Sequence, residues 1–474
     1  MHVKSLLAVT EVLLAGSALA IPASTQTQKR QSGVEEFIAA ESPIAYQGVL
    51  NNIGPDGSGA AGAAAGISVA SPSKSDPDYF YTWTRDSGLV FKQLADALIA
   101  GDTALEAHLK NYVTAQAQLQ NVSNPSGDLT TGGLGEPKFH VDMTAFTGDW
   151  GRPQRDGPAL RATALITYGN YVLGNGGDAA DIWAVVANDL NYVTEYWGQT
   201  GFDLWEEVQG SSFFTLAAQH RALVEGSAFA AAVGQACEKC DEEAPKVLCR
   251  LQDFWTGTAV NSNLDASAQR SGLDANSLVA IIHTFDPEAK CDDATFQPCS
   301  ARSLANHKAV VDSFREPYGI NQGIEAGSGA AVGRYSEDVY MGGNPWYLAT
   351  AAAAEVLYAA LYQWEKIGTL SITDVSLPFF TAISSGAAAG DYAADSEEYK
   401  TLTAAVKGYA DSFIAVIQKY TPEGGALAEQ FGRDDGSPKS AADLTWSYAS
   451  FLTMVARRDG SVPPTWGAPA DAQC

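Results

Sequence analysis

The chain has 474 residues, of which 46% are hydrophobic and 18% charged, with a formal net charge of −26 at pH 7. So acidic a chain repels nucleic acid and anionic membrane surfaces, and its sparse charge with abundant apolar residues excludes a disordered acidic tail. Neutral polymers such as glycans suit both properties as partners.

Residues 1–20, MHVKSLLAVTEVLLAGSALA, join a lysine, a short apolar run and the small-residue end Ala18-Leu19-Ala20, the layout of a secretory signal. The run is too short to anchor the chain in a bilayer. Residues 21–30 end in the dibasic pair Lys29-Arg30 and read as a propeptide, so the mature chain is expected to begin at Gln31. No later segment is long and apolar enough to cross a membrane, and the protein is read as secreted, extracellular and free of membrane partners. Residues 31–474 contain no Ser/Thr- or Pro-rich linker and are expected to form one large domain.

Helical periodicity dominates this domain. It predicts helices within GPALRATALITYGNYVLGNG (157–176), FFTLAAQHRALVEGSAFAAAVGQA (213–236), SARSLANHKAVVDSFRE (300–316), NPWYLATAAAAEVLYAALYQWEK (344–366) and EYKTLTAAVKGYADSFIAVIQKY (398–420). In SAADLTWSYASFLTMVARR, Ser440 is a candidate cap, Leu444, Tyr448, Phe451, Leu452 and Val455 share one face, and Arg457-Arg458 close the last turn. Strand patterns are few, so the class is all-α. Small residues on so many helices allow close packing, and a ring of antiparallel helix pairs with its site at one end fits best.

The chemistry lies between the helices. Five segments mix aromatic rings with carboxylates and guanidinium groups: DYFYTWTRDSG (78–88), TGDWGRPQRDGPALR (147–161), GFDLWEEVQGSSFF (201–214), VGRYSEDVYMGGNPW (332–346) and LAEQFGRDDG (427–436). Sugars present a C–H face to rings and hydroxyls to charged groups, so the recurrence of this mixture points to carbohydrate. Acetal hydrolysis needs two carboxyls, one protonated and one ionised, and their separation decides between inversion and retention. Asp203, Glu206 and Glu207 crowd around Trp205, and a carboxyl buried there keeps its proton more readily. Taken alone, such carboxylates are more often solvated on a turn.

Six cysteines, Cys237, Cys240, Cys249, Cys291, Cys299 and Cys474, make an even set that in a secreted chain suggests three disulfides of open pairing. Cys237-x-x-Cys240 lacks a second Cys/His pair at zinc spacing, so neither a metal nor another cofactor is expected. His220 and His283 read as structural, as do Trp183, Trp197 and Trp255, and Asn121-Val122-Ser123 is a glycosylation sequon.

DYFYTWTRDSGLV, GLGEPKF, WGRPQRDGPALRATA, DLWEEVQGSSFFT, QHRALVEGSAFA, HTFDPEA, CDDATFQPCS, GNPW and DLTWSYA together resemble the fungal glucoamylases of glycoside hydrolase family 15, in order from about Leu50 to Cys474. The resemblance implies an (α/α)6 barrel, a six-hairpin toroid. It also implies exo-acting, inverting release of β-D-glucose from non-reducing ends of starch, glycogen and maltooligosaccharides, with slower α-1,6 cleavage, by a monomer. Position by position it makes Glu206 the general acid and Glu429 the base, with Tyr79 and Ser440 orienting that base and its water. Glu207 is placed on the leaving-group side, and Asp203 supports charge near the acid. Arg85, Asp86 and Arg334 would grip the terminal sugar, and Trp83, Trp150, Tyr340, Trp346 and Trp446 would wall the pocket. The implied disulfides are Cys237–Cys240, Cys249–Cys474 and Cys291–Cys299.

Phe146, Phe202 and Phe431 stand where the family commonly has tyrosine, and Met341-Gly342 depart beside Tyr340, which bears on chain-length preference. The chain stops at Cys474, and no C-terminal starch-binding domain is expected. Two competing readings are a related hydrolase preferring α-1,6 bonds and a glucan-binding barrel without catalysis. The presence of both Glu206 and Glu429 argues against the second.

Overall fold

The apolar periodic segments fold as helices in the computed structural model, which describes residues 23–268, 270–469 and 474. The expected leader, residues 1–20, lies outside the described residues. In chain order the helices are α1 (Ala23–Asn51), α2 (Thr84–Ile99), α3 (Glu106–Leu119), α4 (Gly157–Gly174), α5 (Ala180–Tyr196), α6 (Phe213–Ala232) and α7 (Glu238–Gln252). There follow α8 (Asn276–His283), α9 (Ala301–Asp312), α10 (Tyr347–Ile367), α11 (Leu377–Ile383), α12 (Glu397–Tyr420) and α13 (Thr445–Arg458). Strands among the described residues are two to four residues long and pair in local antiparallel ribbons.

Two local expectations are corrected. Ser440 does not cap α13, whose N-cap is Leu444; Ser440 takes a left-handed backbone (φ 61°) and gives its hydroxyl to Glu429 instead. A cap must abut the first turn, and the residues between Ser440 and Thr445 remove it from reach. Arg85 and Asp86, read as part of a connecting segment, occupy the first turn of α2.

Helices α2, α4, α6, α8, α10 and α13 pack each against the next, and α13 returns to α2, so the series closes into a ring. Outside it lie α1, α3, α5, α7, α9 and α12, each immediately before an inner helix or separated from it only by its connection, giving an (α/α)6 barrel; α11 packs between α9 and α12. Position in the ring explains composition. Inner helices α4 from Gly157 to Gly169 and α10 from Tyr347 to Ala360 are buried on all sides, so they are apolar nearly all round and their buried charges are paired, as Arg161 is with Asp189. Outer α7 buries only Cys240, Ala244, Val247, Leu248 and Leu251, a single stripe. Glycine is required where helices nearly touch: a Cβ on Gly226 of α6 would stand 2.6 Å from Leu190 of α5, and one on Gly169 of α4 2.5 Å from Phe229.

Long connections, residues 52–83, 120–156, 197–212, 253–275, 313–346 and 421–444, lead into the inner helices, whereas 100–105, 175–179 and 233–237 suffice to leave α2, α4 and α6; α8 and α10 are left through 284–300 and, with α11, 368–396. The long connections gather at the N-terminal end of the inner ring, where all but one of them line a common pocket. The disulfides are Cys237–Cys240, Cys249–Cys474 and Cys291–Cys299. Trp183, Trp197 and Trp255 are half-buried against the core and do not reach that pocket, and Asn121 is exposed just after α3.

Candidate active site

The pocket has a volume of about 580 Å³ and is lined by Tyr79, Trp83, Arg85, Asp86, Trp150, Glu206, Glu207, Arg334, Tyr340, Trp346, Glu429 and Trp446 among others. Of the residues singled out in the sequence, Asp203 and Ser440 do not line it.

Glu206 is set by a small hairpin. Gly201–Phe202 pairs antiparallel with Gln209–Ser212, and the Asp203 carboxylate ties the intervening turn by accepting the backbone N–H groups of Glu207 (3.0 Å) and Val208 (3.1 Å) on one oxygen. Asp203 is 1% exposed, so it shapes the turn from behind and does not face the pocket. The turn holds Glu206 at φ 68°, a left-handed conformation that costs a residue with a Cβ roughly 1–2 kcal/mol. Gly151 lets the neighbouring loop approach, since a Cβ there would lie 2.6 Å from the Glu206 carbonyl oxygen.

Each Glu206 oxygen accepts one indole N–H: Trp83 donates to Oε1 and Trp150 to Oε2, both at 2.7 Å, and Arg85 Nη1 stands 3.6 Å from Oε1. Burial raises the Glu206 pKa above the ordinary glutamate value, outweighing Arg85 and the hydrogen bonds that pull it down. The cause differs from the sequence expectation. Glu207 is not a bare like charge beside it: Arg334 (2.8 Å), Arg270 (2.7 Å) and the Tyr335 hydroxyl all donate to it, and these partners hold its pKa below the usual range despite burial. Asp203 is likewise engaged by backbone. Removal from water, rather than neighbouring charge, is what raises the Glu206 pKa.

Glu429 enters from the connection before α13. It is 2% exposed; Gln430 Nε2 donates to Oε2 at 3.0 Å and the Ser440 hydroxyl donates to the same oxygen. Burial pushes its pKa up to about 7 against the pull of Ser440, Arg334, Tyr79 and Gln430. Tyr79 is in turn hydrogen-bonded to Tyr340 at 2.7 Å. In the ring order, α6 and α13 are diametrically opposed, so the connections carrying Glu206 and Glu429 reach the pocket from opposite sides.

Around this axis, Arg85 donates to Asp156 (2.7 Å) and Gln154, and Asp86 beside it is pushed by burial up to about 7. Arg334 is forked on Asp338 at 2.6 and 2.8 Å while reaching Glu207. Trp346 leans on Trp205, with ring centroids 5.4 Å apart. Of the phenylalanines that depart from the resemblance, Phe146 lines the pocket, Phe202 packs over Gly151, and Phe431 is wholly buried against Tyr347 and Tyr420.

Lys138 escaped the sequence reading. Its ammonium lies 3.7 Å from the Trp150 ring centroid, 4.0 Å from Tyr81, 4.4 Å from Phe146 and 4.7 Å from Trp83, and burial lowers its pKa to about 8. The lysine in GLGEPKF was the only available signal, since its cage comes from two other stretches, Tyr81 with Trp83 and Phe146 with Trp150. The supports Gln154, Asp156, Arg270, Tyr335 and Asp338 were missed for the same reason. Among the described residues, no group of three His, Cys, Asp or Glu is arranged to hold a metal ion.

Comparison with known proteins agrees with this arrangement. The chain is 55% identical over 455 residues to Glucoamylase-1 of Arthroderma benhamiae, covering 95% of this chain and 74% of that protein. It is 56% identical over 441 residues to a glucoamylase of Neurospora crassa, covering 92% and 70% respectively. The solved structure of a glycoside hydrolase family 15 glucoamylase from Hypocrea jecorina superposes with a TM-score of 0.90 at 53% identity, covering 93% of this chain and 76% of that one. The sequence profile of glycosyl hydrolases family 15 matches residues 43–456, and with a closed helical ring, a carboxylate-lined pocket at its end and relatives this similar, the chain belongs to that family.

Proposed function

We propose that this family 15 hydrolase is a secreted glucoamylase: it removes glucose from the non-reducing ends of α-1,4-glucans such as starch, glycogen and maltooligosaccharides, cleaves α-1,6 bonds more slowly, and releases the β anomer. The leading support is that Glu206 and Glu429 line one pocket and are carried into it by connections that precede opposed helices of the ring, an arrangement suited to a carboxyl on either face of a sugar. Glu206 gives its proton to the glycosidic oxygen as the bond to the anomeric carbon breaks. Glu429 takes a proton from a water whose oxygen attacks that carbon from the other face, which inverts it. Asp86, Arg85 and Arg334 bind the terminal hydroxyls, the tryptophans cover the ring face, and ionised Glu207 faces the departing sugar. A pocket closed around one chain end explains exo action, since an internal segment cannot enter. The secretory layout of residues 1–20 supports export.

The test is to take enzyme from the culture medium and follow, by NMR, the first sugar released from maltoheptaose. β-Glucose is the expected sole early product. Early α-glucose would refute inversion, maltose or longer fragments would refute the closed pocket, and binding without release would mark a glucan-binding barrel.

Ser440 offers a finer test. Its hydroxyl favours the ionised form of Glu429, so Ser440→Ala should raise that carboxyl's pKa further. The acidic limb of kcat/KM, where the base gains its proton, should move to higher pH by up to about one unit. A limb that stays in place would mean that the titrating base is not Glu429.

A further inference from the structure

Of the long connections that lead into the inner helices, 253–275 is the one that contributes nothing to the pocket lining. We propose that it acts on the reaction from behind: Asp274, through its hydrogen bond to Trp205, is a positioning residue for Glu206, an inference that rests on the acid role given to Glu206 above.

This connection is fastened to both of its neighbours. Its Asn263–Leu264 strand pairs antiparallel with Ser212 and Ser211 of the hairpin that sets Glu206. On the other side Asp274 forms an antiparallel bridge with Tyr335, and the Ala275 N–H donates to the Arg334 carbonyl oxygen at 2.7 Å. Asp274 is thus held by backbone from the connection that carries Arg334, and its side chain is buried. One oxygen, Oδ1, accepts the N–H of Asn276 (2.7 Å), the first residue of α8, and the indole N–H of Trp205 (2.8 Å). The carboxyl therefore ties the turn before α6 to the start of the next ring helix.

Trp205 immediately precedes Glu206. Its buried ring packs on Trp346 and lies 5.6 Å from the Arg334 guanidinium carbon, contacts that fill space without fixing the ring's direction. The hydrogen bond to Asp274 is directional and supplies that restraint. Glu206 depends on it, because a residue at φ 68° stays there only while its surroundings hold it. The contacts from Trp83 and Trp150 then find the carboxyl where the leaving oxygen needs it. Asp274 Oδ2 has no protein partner, so asparagine can keep the Oδ1 contacts without breaking another.

The experiment measures kcat at saturation on maltose and on α-glucosyl fluoride for the natural protein, Asp274→Ala, Asp274→Asn, Trp205→Phe and the double variant Asp274→Ala with Trp205→Phe. Asp274→Ala and Trp205→Phe should each lower kcat on maltose about tenfold, part of the cost of misplacing a general acid, and lower it less than about twofold on the fluoride, which needs little proton donation. The double variant should fall no further than the lower single one, and Asp274→Asn should stay within about twofold of natural on both substrates. Trp205→Phe leaves Asp274 bound to α8 and keeps the test alive should Asp274→Ala fail to fold. Equal losses on both substrates, additive losses in the double variant, or an Asp274→Asn protein as impaired as Asp274→Ala would overturn the positioning role alone. Failure of the natural protein to release glucose from either substrate would overturn the hydrolase reading instead.

Discussion

Glu206→Gln should lower the rate on maltose by about 10²- to 10⁴-fold, the usual contribution of a general acid, while an activated substrate such as α-glucosyl fluoride retains far more of its rate. The leaving sugar of maltose needs a proton as it departs, and fluoride needs it much less. Glutamine preserves the two acceptor-lined contacts only in part: its carbonyl oxygen can still accept one indole N–H, from Trp83 or Trp150, but its amide cannot accept the other. Some loss on the fluoride substrate is therefore expected from misplacement. The difference between the substrates isolates proton donation. Equal losses on both would remove the acid role from Glu206, and Glu207 would be the next candidate, although its two arginines and Tyr335 hold it ionised.

Glu429→Gln should also reduce turnover by about 10²- to 10⁴-fold, with inhibitor binding largely kept. In the proposed mechanism the group that receives the water's proton is lost, while the grip on the terminal sugar would come from α2 and the connection before α10, carrying Arg85, Asp86 and Arg334. Retention of more than about a tenth of the natural rate would show that another carboxylate accepts the proton. Asp203 is poorly placed for it: it is 1% exposed and engaged with the backbone of its own turn.

In the pH profile of kcat/KM, both limbs follow from these two groups. Activity should fall on the acidic side as Glu429 takes up a proton and on the alkaline side as Glu206 loses one. Burial raises both carboxyls above the ordinary glutamate value, Glu429 to about 7, so the working range is set by how strongly each pocket wall excludes water.

Local pattern was sufficient for much of this molecule. Apolar periodicity marked α4, α6, α9, α10 and α12 to within a few residues at most ends, because an enclosed or striped helix must carry that pattern wherever it packs. It was insufficient for α8, whose eight residues hold too few turns to show a period, and for the start of α2, where Arg85 and Asp86 look like loop chemistry. Loop segments rich in rings and carboxylates identified the pocket wall, since sugar binding needs both groups and they stand together in the chain.

What the sequence by itself determined was thus the helical class, the aromatic and acidic residues of the site, and the even set of cysteines. Only the tertiary structure decided that α6 and α13 face each other across the ring, so that Glu206 and Glu429 oppose one another. It alone decided that Arg334, Arg270 and Tyr335 engage Glu207, that Asp203 turns inward, that Ser440 serves Glu429 in place of α13, and that four rings from two segments enclose Lys138. For the opposed carboxyls and the partners of Glu207 the physical reason is the same. Periodicity and composition act over a few turns of chain, whereas burial, ion pairing and the separation of two carboxyls are set by residues distant in sequence that meet only when the ring closes.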